Sequence, residues 1–310
     1  MPEAARRLRE ILAAPGICVT PGVTDAFVAR LAERAGFEAI FTTGAGIANT
    51  SLGMPDLGLT TMTEVVAATR RVVEAVAIPV IADADTGYGN HLNVTRTVRE
   101  FEHAGVAGLF IEDQVAPKRC GHFEGKRVVP SDEMVEKIIA ARLARRDPDL
   151  VLIARTDAIA VEGLDAALRR ARMYVAAGVD MIFVEAPRTV EELGAIPGAV
   201  SVPCLVNMVE GSITPVLPAD ELAAMGFKMA VYANLALRAA GAAVRHAFEV
   251  LHAHGTSDAV VGEIMSWEDR QSLVGLPEWQ ELDDRIAALS REVEAPDEAA
   301  VGGRRKGARA

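Results

Sequence analysis

The sequence predicts an α/β protein built as a (β/α)8 barrel of the TIM type, with extra helices at its C-terminal end. Eight short apolar runs alternate with eight helical patterns along the chain. The runs are continuously apolar, as expected for parallel strands that are buried on both faces. The length of 310 residues also suits a single large barrel. A doubly wound sheet is the alternative, but it usually contains fewer strand–helix units.

The predicted elements follow one another regularly. An amphipathic helix over residues 3–14 precedes a first strand at 16–20, which we expect to end in a turn at Pro21-Gly22. Later strands are expected at 39–43, 79–84, 108–112, 150–154, 181–184, 204–206 and 229–232. The helices are expected at 25–35, 62–77, 91–104, 131–146, 163–177, 189–196, 219–225 and 235–253.

Three regions of the chain differ in character. Residues 1–255 form the predicted catalytic barrel with its N-terminal helix. Residues 256–293 space large apolar residues among charges, which indicates a helical extension. Its helices either pack outside the barrel or cover a neighbouring subunit. Residues 294–310 are rich in Ala, Gly and charge, so we expect a disordered tail.

Composition excludes several classes of protein. A net charge of −11 argues against nucleic-acid binding. No run of about 18 apolar residues occurs, so no membrane span is expected. The cysteines Cys18, Cys120 and Cys204 are odd in number, which is typical of reduced thiols in a cytoplasmic protein rather than of a disulfide framework.

Carboxylates from several strands gather where the predicted strands end. Asp83, Asp85, Glu112 and Glu185 all follow or end strands that open toward the same mouth. Such carboxylates would repel one another unless a hard cation lay between them. We therefore predict Mg²⁺, with Mn²⁺ as an alternative, bound directly by Asp85 and through water by the other three. Taken singly, each acid could instead cap a helix or pair with an arginine.

Other polar groups at this mouth suit an anionic substrate. Arg155 can clamp a carboxylate with two parallel hydrogen bonds. The backbone N–H groups of Thr43, Gly44 and Ala45 can form a small anion-binding nest. These groups predict a small-molecule carboxylate as the ligand.

A basic loop follows the fourth strand and carries one thiol, Cys120. Cationic side chains surround it in the sequence, at Lys118, Arg119, His122, Lys126 and Arg127. Cations stabilise a thiolate, and the glycines Gly121 and Gly125 permit the mobility of a lid. We expect Gly121 and His122 to complete the grip on the substrate when the lid closes. The alternative is a basic surface loop with an incidental cysteine.

These residues, in this order, resemble the isocitrate lyase and phosphoenolpyruvate mutase superfamily, over residues 17 to about 250. The similarity is greatest to methylisocitrate lyases, 2-alkylmalate lyases and carboxyphosphonoenolpyruvate phosphonomutases. The matching segments are 43–46, 52–58, the Asp-Ala-Asp-Thr-Gly-Tyr-Gly run at 83–89, 111–114, the Lys-Arg-Cys-Gly-His run at 118–122, 154–158 and 207–211.

The resemblance implies a Mg²⁺-dependent barrel with a gating loop at about 116–131. It also implies a homotetramer in which the last barrel helix is exchanged between neighbouring subunits. By the same matching, Cys120 is the catalytic acid/base, while Asp56 orients the substrate or the metal-bound waters. Glu185 and Asn207, together with Thr43, Gly44, Ala45 and Arg155, contact the substrate or the metal shell.

The resulting hypothesis is a carbon–carbon lyase acting on a 2-hydroxy di- or tricarboxylate of the 2-methylisocitrate or 2-alkylmalate type. The products would be a 2-oxo acid and an enediolate that Cys120 protonates. The alternatives are a phosphorus–carbon bond mutase, an oxaloacetate decarboxylase or hydrolase, and a non-catalytic ligand-binding barrel. Ala45, the 207–211 loop and Tyr232-Ala233 depart from the lyase pattern and leave the substrate open.

Overall fold

The structure is a computed structural model that describes residues 2–121 and 123–294. It forms one compact unit up to Thr256 and a second that begins at Ser257.

Eight parallel strands close into a barrel in the order of the sequence, β1 to β8, and β8 pairs with β1. The strands are β1 Cys18–Val23, β2 Ile40–Thr42, β3 Val80–Asp83, β4 Gly108–Glu112, β5 Val151–Thr156, β6 Met181–Val184, β7 Cys204–Asn207 and β8 Met229–Tyr232. This is the predicted (β/α)8 fold.

Helices follow the strands around the barrel. Those of the first unit are α1 Pro2–Ala13, α2 Ala26–Arg34, α3 Gly44–Ile47, α4 Met62–Ala75, α5 His91–Ala104, α6 Ser131–Ala144, α7 Ile159–Glu162, α8 Leu164–Ala177, α9 Val190–Gly198, α10 Ala219–Met225 and α11 Leu235–His254. A π-helical turn, Ala48–Leu52, continues α3. The second unit contains a 3-10 turn at Asp258–Val260, α12 Trp267–Leu273 and α13 Leu276–Glu294.

Caps encoded in the sequence fix several of these helix ends. Asn90 accepts hydrogen bonds from two backbone N–H groups at the start of α5, and Gly105 ends that helix in the left-handed conformation. Thr61 and Glu64 form a reciprocal capping box at the start of α4. Such local signals explain why the predicted bounds of these helices lie close to the observed ones.

The expected turn at Pro21-Gly22 is wrong, because β1 continues through both residues to Val23. Gly22 is required there for close packing, since a side chain would overlap the backbone of Ala233 after β8. Arg155 was expected after the fifth strand but lies within it. The short helices α3 and α7 were not predicted, because four-residue helices leave no periodic pattern.

The core has two layers. One apolar layer lies between the strands and the surrounding helices, and the other fills the barrel itself. The inner layer includes Leu8 and Leu12 of α1, together with Phe110 and Phe183. The barrel is therefore filled by side chains below its mouth, and α1 contributes to that inner layer.

Two predictions fall wholly or partly outside the described residues. Residues 295–310, where the tail was expected, and His122 lie outside the described residues. In the described part of the chain, no helix is long and apolar enough to cross a membrane. All three cysteines are free thiols, as predicted.

Candidate active site

The loop between β4 and α6 folds over the mouth of the barrel, and we call residues 113–129 the lid. Its neck is held by backbone hydrogen bonds from Val115 N to Arg127 O and from Val129 N to Asp113 O. The side chain of Gln114 accepts from Arg119 N at 3.0 Å and donates to Arg119 O at 2.9 Å. These contacts give the lid a defined shape, and it overlaps the segment 116–131 in which a gating loop was predicted, although Ser131 already begins α6.

A cavity of about 40 Å³ lies beneath the lid. Nine of the residues predicted for the site line it: Thr43, Ala45, Asp56, Asp83, Cys120, Gly121, Arg155, Glu185 and Asn207. Gly44, Asp85 and Glu112 contact lining residues from just outside the cavity. The structure therefore brings together all the described residues of the predicted site.

The floor of the cavity is aromatic. The rings of Phe41 and Phe110 stack with centroids 5.5 Å apart, and Phe183 meets Phe110 edge-on at 5.8 Å. The guanidinium of Arg155 lies 5.1 Å from the Phe183 centroid and 5.9 Å from that of Phe110. An arginine held over aromatic faces is stabilised by them and has little contact with water. This floor was not predicted, because aromatic residues within apolar strands usually indicate only core packing.

Asp83 organises the backbone at the ends of β2 and β3. Its two carboxylate oxygens accept hydrogen bonds from Gly44 N at 3.0 Å and from Asp85 N at 2.9 Å. The N–H groups of Thr43 and Gly44 were expected to bind an anion, but here they are donated to Val23 O at 3.3 Å and to Asp83. Burial and the neighbouring charge of Asp85 raise the pKa of Asp83 to about 6.

Lys118 of the lid enters the acidic cluster. Its Nζ lies 2.8 Å from Asp85 Oδ1 and 2.6 Å from Asp56 Oδ1, and the residue is 6% exposed. Burial opposes its charge, but Asp85, Asp83, Glu112 and Asp56 outweigh burial and hold the pKa of Lys118 well above its ordinary value. The sequence placed this lysine near Cys120 as a cation acting on the thiol, whereas the structure pairs it with carboxylates.

The acidic cluster contains buried oxygens that accept no hydrogen bond, and such oxygens suit a cation. Asp85 Oδ1 and Glu112 Oε1 are buried and accept no hydrogen bond in the described structure. For Asp85 Oδ1 the 2.8 Å approach of Lys118 is an ion pair that lacks hydrogen-bond geometry. Among the described residues, no three His, Cys, Asp or Glu side chains converge closely enough to hold a metal alone. The two buried acceptors, Asp85 Oδ1 and Glu112 Oε1, suit an ion that keeps most of its water and takes few protein ligands.

Arg155 is held by three carboxylates. Its Nε lies 3.3 Å from Glu112 and 2.9 Å from Asp157, and its Nη1 lies 3.2 Å from Glu185. Glu185 also contacts Asn207 Nδ2 at 3.4 Å. Burial raises the pKa of Glu112 well above its ordinary value, although Arg155 opposes this shift. The predicted substrate clamp is thus fixed in direction by its neighbours.

Two site turns adopt a left-handed backbone at residues other than glycine. Asp85 has a φ of 47° and Ala186, directly after Glu185, has a φ of 59°. Such conformations are uncommon for residues with side chains and are concentrated at functional sites. Here they direct the ends of β3 and β6 into the mouth.

Behind Arg155 lies a buried network that sequence analysis missed. Asp113 accepts hydrogen bonds from Thr156 Oγ1 at 2.7 Å, Asp157 N at 2.9 Å and Tyr174 Oη at 2.8 Å. Arg170 donates to Val129 O at 2.8 Å, where the lid returns to the barrel. Asp113 directly follows Glu112 in the sequence, but no spacing rule predicts that side chains of α8 bind it.

Comparison with known proteins places this geometry in a family. The family model described as phosphoenolpyruvate phosphomutase matches residues 8–252. The chain belongs to that family. Among relatives of the family, the 2,3-dimethylmalate lyase of Eubacterium barkeri is 43% identical over 283 residues, covering 91% of this chain and 98% of that protein. The 2-methylisocitrate lyase of Aeropyrum pernix is 41% identical over 286 residues, covering 92% of each chain.

Solved structures share this fold over about nine-tenths of the chain, among them a 2,3-dimethylmalate lyase of the phosphoenolpyruvate mutase/isocitrate lyase superfamily. Oxaloacetate acetylhydrolase in complex with 3,3-difluorooxalacetate superposes with a TM-score of 0.88 at 34% identity, covering 92% of this chain and 98% of that chain. Phosphonopyruvate hydrolase in complex with oxalate and Mg²⁺ gives a TM-score of 0.82 at 31% identity, covering 91% and 98%. This superfamily member is an enzyme, a carbon–carbon lyase, as the sequence predicted.

Proposed function

We propose that this lyase cleaves a 2-hydroxy di- or tricarboxylate of the 2-methylisocitrate or 2-alkylmalate type into a 2-oxo acid and a second carboxylate. The observation that carries the proposal is the shared cavity of Cys120, Arg155 and Asp56, closed by one lid. A proton donor, an anion clamp and an acidic metal-binding region are the three components that such a cleavage needs. The lyases among the relatives support the reaction class.

We propose Mg²⁺ as the cofactor, with Mn²⁺ as an alternative. Asp85 would hold it directly, and Asp83, Glu112 and Glu185 would hold its water molecules. When bound, the ion would orient the 2-hydroxycarboxylate end of the substrate and make its hydroxyl more acidic. The buried oxygens of Asp85 and Glu112 that accept no hydrogen bond support this assignment.

The side chains of the chain carry the remaining steps. One carboxylate of the acidic cluster takes the hydroxyl proton, and the C2–C3 electron pair moves into the departing half as an enediolate. Arg155 stabilises the negative charge that develops there, aided by the low-dielectric aromatic floor. Cys120 then donates its proton to the enediolate carbon. The carboxylate releases the hydroxyl proton to water, and the thiolate regains a proton from water before the next cycle.

The size of the cavity favours a second candidate, hydrolysis of oxaloacetate. A volume of about 40 Å³ has room for only a few water-sized groups. A four-carbon acid would need less movement of the lid than a branched tricarboxylate. The structural similarity to oxaloacetate acetylhydrolase supports the same candidate.

A substrate panel separates the candidates. The purified protein with Mg²⁺ would be incubated with 2-methylisocitrate, 2,3-dimethylmalate and oxaloacetate, and the release of 2-oxo acid or oxalate measured. Phosphonopyruvate would be followed by ³¹P NMR in parallel. We expect 2-oxo acid from a 2-hydroxy acid in the wild type. If oxaloacetate is the one compound turned over, with release of oxalate, the hydrolase replaces the lyase proposal. If no compound is turned over, both proposals are contradicted.

We further propose assembly into a homotetramer in which α11 is exchanged between subunits. This helix closes the eight strand–helix units, yet none of its residues is buried within the chain. Its exposed apolar residues include Leu235, Val244 and Phe248. An apolar barrel helix in which no residue is fully buried favours burial against another subunit. Light scattering after size exclusion should give four chains for the wild type and fewer for Phe248→Asp.

A further inference from the structure

Lys126, near the C-terminal end of the lid, makes a contact that the proposed reaction does not use. Its side chain is 2% exposed, and its Nζ lies 3.0 Å from Asp157 Oδ1, which is fully buried. The same Nζ donates to the carbonyl oxygen of Gly121. One ammonium group thus joins the tip of the lid, next to Cys120, to the end of strand β5.

Asp157 is also the main partner of Arg155. It accepts from Arg155 Nε at 2.9 Å and from Arg155 Nη2 at 3.0 Å. The latter bond goes to Oδ1, which is the oxygen that Lys126 approaches. Burial acts to raise the pKa of Asp157, but Arg155 and Lys126 outweigh it and hold that pKa down at about 2. Asp157 is therefore an anion shared between the barrel and the lid.

We propose that Lys126 is a positioning residue that couples closure of the lid to the readiness of Arg155 to bind an anion. With the lid away from the barrel, Arg155 faces the carboxylates of Asp157, Glu112 and Glu185 without a second cation. Closure brings the Lys126 ammonium onto Asp157. It takes over part of that negative charge, so more of the Arg155 charge is available to the substrate.

Close packing at the tip makes this coupling specific. A side chain at Gly121 would overlap Arg155 Nη2 and come within 2.7 Å of Glu185 Cγ. The lid backbone at Gly121 therefore packs directly against Arg155, the residue on which Lys126 acts through Asp157. Arg127, the next residue, is exposed, and its backbone carbonyl accepts from Val115 N within the lid. It offers a matched control with the same charge on the same loop.

Amide hydrogen exchange of the protein without ligand tests the contact of Lys126 with Asp157 and Gly121 independently of any activity. Lys126→Met keeps the stem of the side chain and removes the charge, and Arg127→Met does the same next to it. In Lys126→Met, the amides of Arg119 and Phe123 should exchange faster by on the order of 30-fold, the loss expected for truncating a buried ion pair. The exchange rates of the strand amides in Lys126→Met should match those of the wild type. So should the rates of both lid amides in Arg127→Met. Wild-type exchange at both lid amides in Lys126→Met would overturn the proposal.

A double-mutant cycle tests the route through Asp157. This arm rests on the proposed function, because it needs turnover. Lys126→Met should raise KM and lower kcat, reducing kcat/KM by on the order of 30-fold or more. In an Asp157→Asn background the same change should reduce it at least about 10-fold less. Equal losses in both backgrounds would overturn the coupling. If the proposed function is wrong, the wild type will not turn over the substrate, but the exchange result still tests the role of Lys126. The exchange result also decides if Asp157→Asn does not fold.

Discussion

The two ends of the barrel are built from opposite chemistry. The inner core includes Leu8 and Leu12 of α1, and Arg9 beside them donates to the backbone carbonyl of Asp149 at 2.8 Å. At the mouth, buried carboxylates surround Arg155 and the lid lysines Lys118 and Lys126. One end removes apolar surface from water, and the other removes charge from water.

This contrast separates stability from function. Burial of apolar surface stabilises a fold, whereas burial of ion pairs gains little or nothing over apolar packing. The mouth therefore contributes little net stability, and its arrangement is explained by what it binds. If that division holds, substitutions at the mouth that leave its ion pairs intact, such as Cys120→Ser, should change activity at nearly constant stability, and substitutions at the bottom should do the reverse.

The largest expected effect is at Cys120. Cys120→Ser keeps the size of the side chain and removes the acidic proton, so turnover of the cleaved substrate should fall by about 10²–10⁴-fold. Thermal unfolding should change little, because the residue is only partly buried. Cys204→Ala, in strand β7, is the control and should retain turnover. Near-wild-type cleavage by Cys120→Ser would remove the thiol from the mechanism.

A methyl group at Gly121 should hold the lid away from Arg155. Since a Cβ there meets Arg155 and Glu185, we expect Gly121→Ala to lower kcat/KM by about 100-fold, the effect of roughly 1 Å of misplacement. Gly125→Ala lies in the same loop, and its Cβ would meet only the end of the Arg119 side chain. Because Gly125 has a φ of 75°, that control tests backbone strain separately. Unchanged kinetics in Gly121→Ala would mean that the lid does not rest on the clamp during turnover.

The bottom of the barrel provides the converse test. Leu8 is fully buried, so Leu8→Ala should lower the free energy of unfolding by about 2–5 kcal/mol. Denaturant titration measures this change, and kcat should stay within about twofold of wild type at a temperature where the variant is folded. A large loss of kcat with little loss of stability would contradict the division between the two ends.

The smallest expected effect is on the acid dependence of stability. The pKa of Asp157 is about 2 in the folded protein against an ordinary 3.8. A lowered folded-state pKa stabilises the protein above the ordinary value, and this contribution is lost as the pH falls from about 4 to 2. The loss from this group is on the order of 2 kcal/mol. Urea titrations across that range should show a shallower pH dependence in Lys126→Met, in which the Asp157 pKa lies closer to its ordinary value. Identical slopes would show that Lys126 does not hold that pKa down.

Much of the fold followed from the sequence because its signals are local. Continuous apolar runs gave the strands, and Asn90 and Gly105 fixed the ends of α5. The failures were also local in cause: Gly22 serves close packing with Ala233 but has the same appearance in sequence as a turn glycine. Four-residue helices such as α7 are too short for any periodicity.

The site was predictable to the level of which residues meet, because parallel strands deliver their ends to one mouth. What each side chain contacts was not predictable. Lys118 and Lys126 were grouped with Cys120 by sequence proximity, yet each reaches a carboxylate from a different strand end, Asp85 and Asp157. Pairings between residues 31 to 33 positions apart depend on how the lid folds back, which no spacing rule contains.

The aromatic floor of Phe41, Phe110 and Phe183 makes the chamber a dead end. One stacked pair and one edge-on ring lie above a barrel filled with side chains, so a ligand that enters from the mouth also leaves through the mouth. The two products of a cleavage therefore leave one after the other through the mouth, and the product nearer the lid leaves first. Product release, rather than bond cleavage, is therefore a candidate for the rate-limiting step of the cycle.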